Sequence, residues 1–228
     1  MPSTPLPALR DQHIRHELRT RLQYRFGADA DTLIIDEFSL PKARIDIAVV
    51  NGSMHGFEIK SEADTLDRLF NQIPAYSAVF DRVTVVTAKR HVDALMALVP
   101  AWWGISIAAY RRTTITIRAI RAAGRNNDRD ATQLAQLLWR KEALTILRDQ
   151  EWNSPLYRAT AAELRALLVS RCDIAQIAAA ARKAIKQRQR CPWQQIAGGG
   201  SYTTGPTAQD YRRNFEWLLS LRSQSRRR

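Results

Sequence analysis

Three residues carry the strongest chemical signal in this chain: Asp46, Glu58 and Lys60. Asp46 sits inside an apolar run at 43–51, flanked by Ile45 and Ile47, and Glu58 and Lys60 lie in a second run at 54–61. Residues two apart on a strand share a face, so Glu58 and Lys60 point the same way. Asn51-Gly52 between the runs is a hairpin signal, and an antiparallel return brings Asp46 close to the positions around Glu58. Two carboxylates in apolar strands are costly to desolvate together. A divalent cation removes that cost, and Mg²⁺ or Mn²⁺ suits a few carboxylate oxygens completed by water and phosphate. Asp46 and Glu58 are the expected metal ligands, with the backbone carbonyl of Ile59 as a further hard donor. A cation held there would lower the pKa of a bound water and neutralise phosphate charge. Lys60 would position that water or stabilise developing negative charge.

The elements that must position these groups are legible in outline. Residues 8–26 place Leu9, Ile14, Leu18, Leu22 and Phe26 at near-helical spacing, and Gly27 reads as the helix stop. Strands are expected at 32–40, 43–51 and 54–61, a helix at 65–79, a strand at 81–88, a helix near 91–98 and a strand near 104–110. The short apolar run at 81–88 has the character of a strand buried in the middle of a sheet. TTITIRAI reads as one further strand and GRNNDRD as a linker or loop. Helices are expected at 130–150, at 160–188 with a turn around Ser170–Asp173 and a capping box at Thr160–Glu163, and at 207–221. The expected fold is α/β, a mixed central sheet flanked by helices at 1–122, followed by a basic, mostly helical region at 123–228.

Composition narrows the function classes. Hydrophobic residues make up 45% and charged residues 25%, which suits a globular chain rather than a disordered one. No apolar stretch is long enough to span a bilayer, and the N-terminus lacks the apolar segment of a secretory signal, so a cytoplasmic protein is expected. Cys172 and Cys191 form no CxxC pair, and the four histidines show no ligand spacing, which argues against zinc. The net charge of +13 is unevenly placed. Residues 1–110 hold 12 Lys+Arg against 13 Asp+Glu, and residues 111–228 hold 23 against 9. That asymmetry points to a polyanionic partner, nucleic acid first.

Asp46, the hairpin and Glu58-Ile59-Lys60 together resemble the D…(D/E)xK signature of the PD-(D/E)xK nuclease superfamily, over roughly residues 8–110. The wording ARIDIAVVNG…HGFEIKSEADTLDRL is similar to a group of small bacterial members, although Ile45 rather than proline precedes Asp46. The resemblance implies a restriction-endonuclease-like fold. Gln72 and Tyr76 fit the QxxxY pattern of the RecB-like branch, where they would orient the lysine or the DNA backbone. Pro74 inside that motif is unusual for a helix interior. Glu17 resembles an additional acidic ligand that several members carry on their first helix, and Glu37 is the alternative for that role.

The resulting expectation is a Mg²⁺- or Mn²⁺-dependent deoxyribonuclease of repair, recombination or defence, with RNA left open as a substrate and a homodimer compatible with the resemblance. Arg44, Arg68, Lys183, Lys186 and Arg188 are the candidate phosphate contacts. Two rival readings use the same residues: an inactive nucleic-acid-binding module of this fold, and a helix-turn-helix regulator built on 160–188.

Overall fold

The computed structural model describes residues 8–149 and 156–190. Six strands form one mixed sheet in chain order: β1 (Leu33–Ser39), β2 (Arg44–Val50), β3 (Met54–Lys60), β4 (Arg82–Ala88), β5 (Gly104–Arg111) and β6 (Thr114–Arg121). β1, β2 and β3 are an antiparallel meander; β3, β4 and β5 run parallel; β6 returns antiparallel. The parallel steps require crossovers, which α2 (Asp67–Ser77) and α3 (Val92–Leu98) supply. β4 is central and apolar toward both faces, with Val83 and Val85 on one side and Val86 and Ala88 on the other. The mixed sheet flanked by helices agrees with the expected fold class.

α1 (Asp11–Phe26) covers one face, burying Ile14, Leu18 and Leu22 against Ile47, Val49, Phe57 and Ile59. The opposite face carries α2 and α3 through Leu69, Tyr76 and Leu95. Its apolar cluster continues without a break into α4 (Ala131–Gln136), α5 (Arg140–Asp149), α6 (Ala161–Arg171) and α7 (Ile174–Arg190) through Leu134, Leu138, Leu147, Leu164 and Ile185. The expected division at 122/123 therefore marks no break in the core, and the basic helices pack as part of the same unit. No helix among the described residues is long and apolar enough to cross a membrane. The expected helix at 207–221 and the Gly198–Ser201 stretch lie outside the described residues.

Several local features differ from the sequence expectation. The single helix expected at 130–150 breaks at 137–139, where the Glu142 carboxylate accepts the Trp139 N–H at 2.7 Å and so starts α5 afresh. Thr160 and Glu163 do form the capping box at the start of α6. GRNNDRD is pinned to the core rather than linking two parts. Asn126 is 2% exposed, and its side-chain amide donates to the carbonyls of Ser77 at 2.6 Å and Phe80 at 2.9 Å. Its own N–H donates to the Asp81 carbonyl at 2.9 Å, and Arg129 bonds the Asp81 carboxylate at 2.6 Å. These contacts hold the chain against the end of α2 and the start of β4.

Asn126→Ala would leave the carbonyls that end α2 without that donor. The expected cost is about 1–3 kcal/mol, the penalty for buried polar groups left unpaired. Urea unfolding of the wild type and the variant measures it, and an unchanged midpoint would contradict the role assigned to Asn126.

Candidate active site

The site begins with a fault in the sheet. The hairpin loop is Asn51-Gly52-Ser53, closed by the pair Val50↔Met54. Neither Asn51 nor Gly52 takes the left-handed backbone that a two-residue Asn-Gly turn requires. That third loop residue decides the register, because a slip of one would turn every β3 side chain to the other face. As built, the β2–β3 ladder runs to Ile47↔Phe57 and stops, although both strands continue past it. On the other side of β2 the β1 ladder skips Glu37, whose φ of 50° is left-handed. Asp46 thus sits where β2 loses regular pairing with both neighbours. Its own side chain fills the gap: Oδ2 accepts the Ile59 N–H at 2.7 Å.

Glu58 and Lys60 lie on the α2 side of β3 and bond each other, Lys60 Nζ to Glu58 Oε1 at 2.6 Å. Tyr76, buried on α2, lies 2.9 Å from Glu58 Oε2 and 2.6 Å from the Arg44 carbonyl through the same hydroxyl. One hydroxyl proton cannot serve both acceptors at once. The Tyr76 hydroxyl therefore donates to one of them at a time, the Glu58 carboxylate or the Arg44 carbonyl. Burial, and next the charge of Asp46, push the Glu58 carboxyl up to about 7, and Lys60 and Tyr76 pull it back only in part. Tyr76 is itself held well above the ordinary phenol range, by burial first and then by Glu58.

The sequence reading missed Arg15. One guanidinium nitrogen donates to Asp46 Oδ1 at 2.6 Å and another to the Asp46 carbonyl at 3.2 Å. Asp11, one turn earlier on α1, holds the same guanidinium at 3.1 and 3.2 Å. Burial alone would lower the Arg15 pKa, but Asp11 and Asp46 raise it well above its usual value. The signal was an acidic and a basic residue at i, i+4, which reads as ordinary surface pairing until α1 is laid across β2.

The other expected residues distribute unevenly. Tyr76 reaches Glu58, and Gln72 stands one turn before it with Oε1 buried and without a hydrogen-bond partner. Glu17 is bound by Arg21, whose guanidinium also donates to the Ile117 carbonyl of β6. The α1 residue that meets Asp46 is therefore Arg15, not Glu17. Glu37 pairs with Arg44 across the β1–β2 edge at 3.2 Å. Arg68 is exposed on α2. In α7, Lys183 is exposed, whereas Lys186 bonds Asp31 and Arg188 bonds Glu142 at 2.6 Å and lies 4.3 Å over the Trp139 ring. Among the described residues no three His, Cys, Asp or Glu side chains gather as a metal-binding group.

The donor set nevertheless fits a hard divalent cation. Two carboxylates on adjacent strands act on each other strongly enough for Asp46 to raise Glu58, and a cation is the partner that relieves such a pair. Asp46 and Glu58 would hold it, the rest of the shell being water and substrate oxygens, as Mg²⁺ prefers. The side chains of Glu58 and Lys60 are 4% and 11% exposed, those of Asp46 and Arg15 23% and 26%.

A raised carboxyl pKa has a definite stability consequence. The folded chain keeps the Glu58 proton after the unfolded chain has lost it, so stability falls as pH rises from about 4.5 toward about 7 and levels off above. Relative to Glu58→Gln, the cation-free wild type is expected to lose on the order of 3 kcal/mol between pH 4.5 and 8. Denaturant unfolding of both proteins in EDTA at those two pH values tests it; a difference that grows the other way would refute the protonated Glu58.

Comparison with known proteins places the chain. The family described as Bacteriophage P4 protein cII matches residues 6–198. Protein cII of Enterobacteria phage P4 is 38% identical over 84 residues, 36% of this chain and 31% of that protein, so the match spans about a third of the curated relative. Among solved structures, the SPO1766 protein of unknown function from Silicibacter pomeroyi superposes with a TM-score of 0.38 at 18% identity, over 68% of this chain and 99% of its own. Pyrococcus furiosus SfsA in complex with Ca²⁺ gives 0.29 at 11% identity, over 50% of this chain and 64% of its own. Both superpositions are too loose to carry fold or function. The family match, by contrast, spans most of the sequence, and the chain belongs to the bacteriophage P4 protein cII family.

Proposed function

We propose that this protein is a Mg²⁺- or Mn²⁺-dependent nuclease of the PD-(D/E)xK type, acting on DNA phosphodiester bonds. One observation carries the reading: Asp46 is set into the fault between β2 and β3 beside a Glu58–Lys60 pair on the next strand. A cation bound by Asp46 and Glu58 supplies activation of water and neutralisation of phosphate charge. The chain's own groups do the positioning. Lys60, held by Glu58, offers its remaining donors to the attacking water or to the phosphate oxygens. Tyr76 fixes the Glu58 carboxyl from α2. Gln72 brings an unsatisfied acceptor to the same helix face.

The basic residues divide by what they already hold. Lys186 and Arg188 are committed to Asp31 and Glu142. Lys183 and Arg182 line a cleft of about 460 Å³ between α7 and the hairpin tip at Asn51-Gly52. Neither is ion-paired among the described residues, so they are the better phosphate contacts. The hairpin tip is at the other end of β2 and β3 from the Asp46 fault, so this cleft would hold nucleic acid away from the bond being cut.

A second reading has its own observation. Arg15 pairs with Asp46, and Glu58 and Lys60 are almost fully buried, which suits a binding module that keeps the fold without the chemistry.

Cleavage assays on linear, circular and branched DNA with Mg²⁺, Mn²⁺ or EDTA separate the two. Cutting that requires the cation and drops by on the order of 10²–10³-fold in Glu58→Gln and Lys60→Ala is expected for the nuclease. Salt-sensitive binding without cutting in any cation would leave the binding module. For the cleft, Arg182→Glu combined with Lys183→Glu should weaken DNA binding and reduce the slope of log affinity against log salt by about 1–2. Arg188→Ala should instead destabilise the fold by about 1–3 kcal/mol, because it removes the guanidinium that pairs with Glu142, donates to the Leu137 carbonyl and covers the Trp139 ring. Fluorescence anisotropy and urea unfolding read the two effects apart.

A further inference from the structure

All four carboxylate oxygens at the centre of the site are taken by donors of this chain. Arg15 holds Asp46 Oδ1, the Ile59 N–H holds Oδ2, Lys60 holds Glu58 Oε1 and Tyr76 lies against Oε2. A cation bound between the two carboxylates competes with these donors for their oxygens. The Ile59 N–H is backbone in a strand, and Lys60 and Tyr76 are buried behind it. Tyr76 has a second acceptor in the Arg44 carbonyl but is fully buried, whereas Arg15 is 26% exposed and its second acceptor, Asp11, is a carboxylate that bonds it at two nitrogens.

We propose that Arg15 is a built-in competitor for the divalent cation, occupying Asp46 in the cation-free protein and passing to Asp11 when the cation binds. The inference rests on the reading of Asp46 and Glu58 as the cation ligands and adds the step that controls loading. In the resting chain Arg15 offsets part of the Asp46 charge. On loading, that offset is supplied by the cation, and Asp11 retains the guanidinium beside the site. Arg15 is thus a positioning residue acting through Asp46. The exchange also makes chemical sense of Asp11, which satisfies Arg15 in either position.

The test is Mn²⁺ binding to the EDTA-stripped full chain, followed by the EPR signal of free Mn²⁺, with melting curves in the same buffers. Arg15→Gln should bind Mn²⁺ about tenfold or more tightly than the wild type, the worth of one charge-assisted hydrogen bond removed from Asp46. Arg19→Gln removes the same charge from α1 at a residue paired with Asp36 instead, and should change affinity far less. Asp11→Asn removes the negative charge and one of the two acceptor oxygens that would retain Arg15, and should weaken binding severalfold, more than Glu17→Gln does. Should Arg15→Gln fail to fold, the Asp11→Asn and Glu17→Gln pair decides. Unchanged or weaker binding in Arg15→Gln, or equal gains in Arg15→Gln and Arg19→Gln, overturns the competitor role; with binding still lost in Asp46→Asn, the cation site itself stands. Folded proteins that bind no Mn²⁺ in any variant would overturn both.

Discussion

A carboxylate standing in for a backbone carbonyl organises this molecule. Where β2 and β3 part after Ile47↔Phe57, the Ile59 N–H would be left without an acceptor inside a packed sheet, at a cost of about 1–3 kcal/mol. The Asp46 side chain takes that hydrogen bond at 2.7 Å. The strands can therefore diverge without leaving an orphaned donor. The divergence in turn fixes a charged group at a depth where charge is expensive. The neighbouring groups follow from that constraint: Arg15 balances Asp46 from above, and Lys60 and Tyr76 balance Glu58 from the α2 side.

The same constraint explains the unusual state of Glu58. A buried carboxyl beside a fixed negative charge keeps its proton more readily than one in water, even with an ammonium at 2.6 Å. The cluster is stable because acids and bases are interleaved, Arg15 on Asp46 and Lys60 on Glu58. Glu37, with its left-handed φ beside Asp46, marks strain in β1 at the same level of the sheet. On the α2 face Tyr76 is packed between Phe80 and Trp103 at ring separations of 6.3 and 6.1 Å.

The helices beyond β6 take part in that support. They contribute to one continuous core with the sheet, and Asn126, Arg129 and Asp130 tie the entering chain to residues 78–81 at the α2–β4 corner. Basic residues in this region accordingly do two kinds of work. Arg188 is folded over Trp139 and into Glu142, a structural use of an arginine, while Lys183 and Arg182 remain available at the cleft. A net charge read from composition cannot make that distinction.

Much of the architecture was legible in the residues themselves. Period-two runs around Asp46 and Glu58, the buried run at 81–88 and the helical spacing of Ile14, Leu18 and Leu22 identify their elements because periodicity is a local property. ExK on one strand face is equally local, as is the Tyr76 spacing that follows it. The tertiary structure decided what depends on distant partners. It chose a three-residue hairpin loop over the two-residue Asn-Gly turn, and so set which face of β3 meets Asp46. It brought Arg15 rather than Glu17 to the carboxylates, because the rotation of α1 is set by packing against β2, β3 and β6 and not by its own sequence. It joined residues expected to form two domains into one core, since exposed apolar faces on both parts lower their free energy by burying each other.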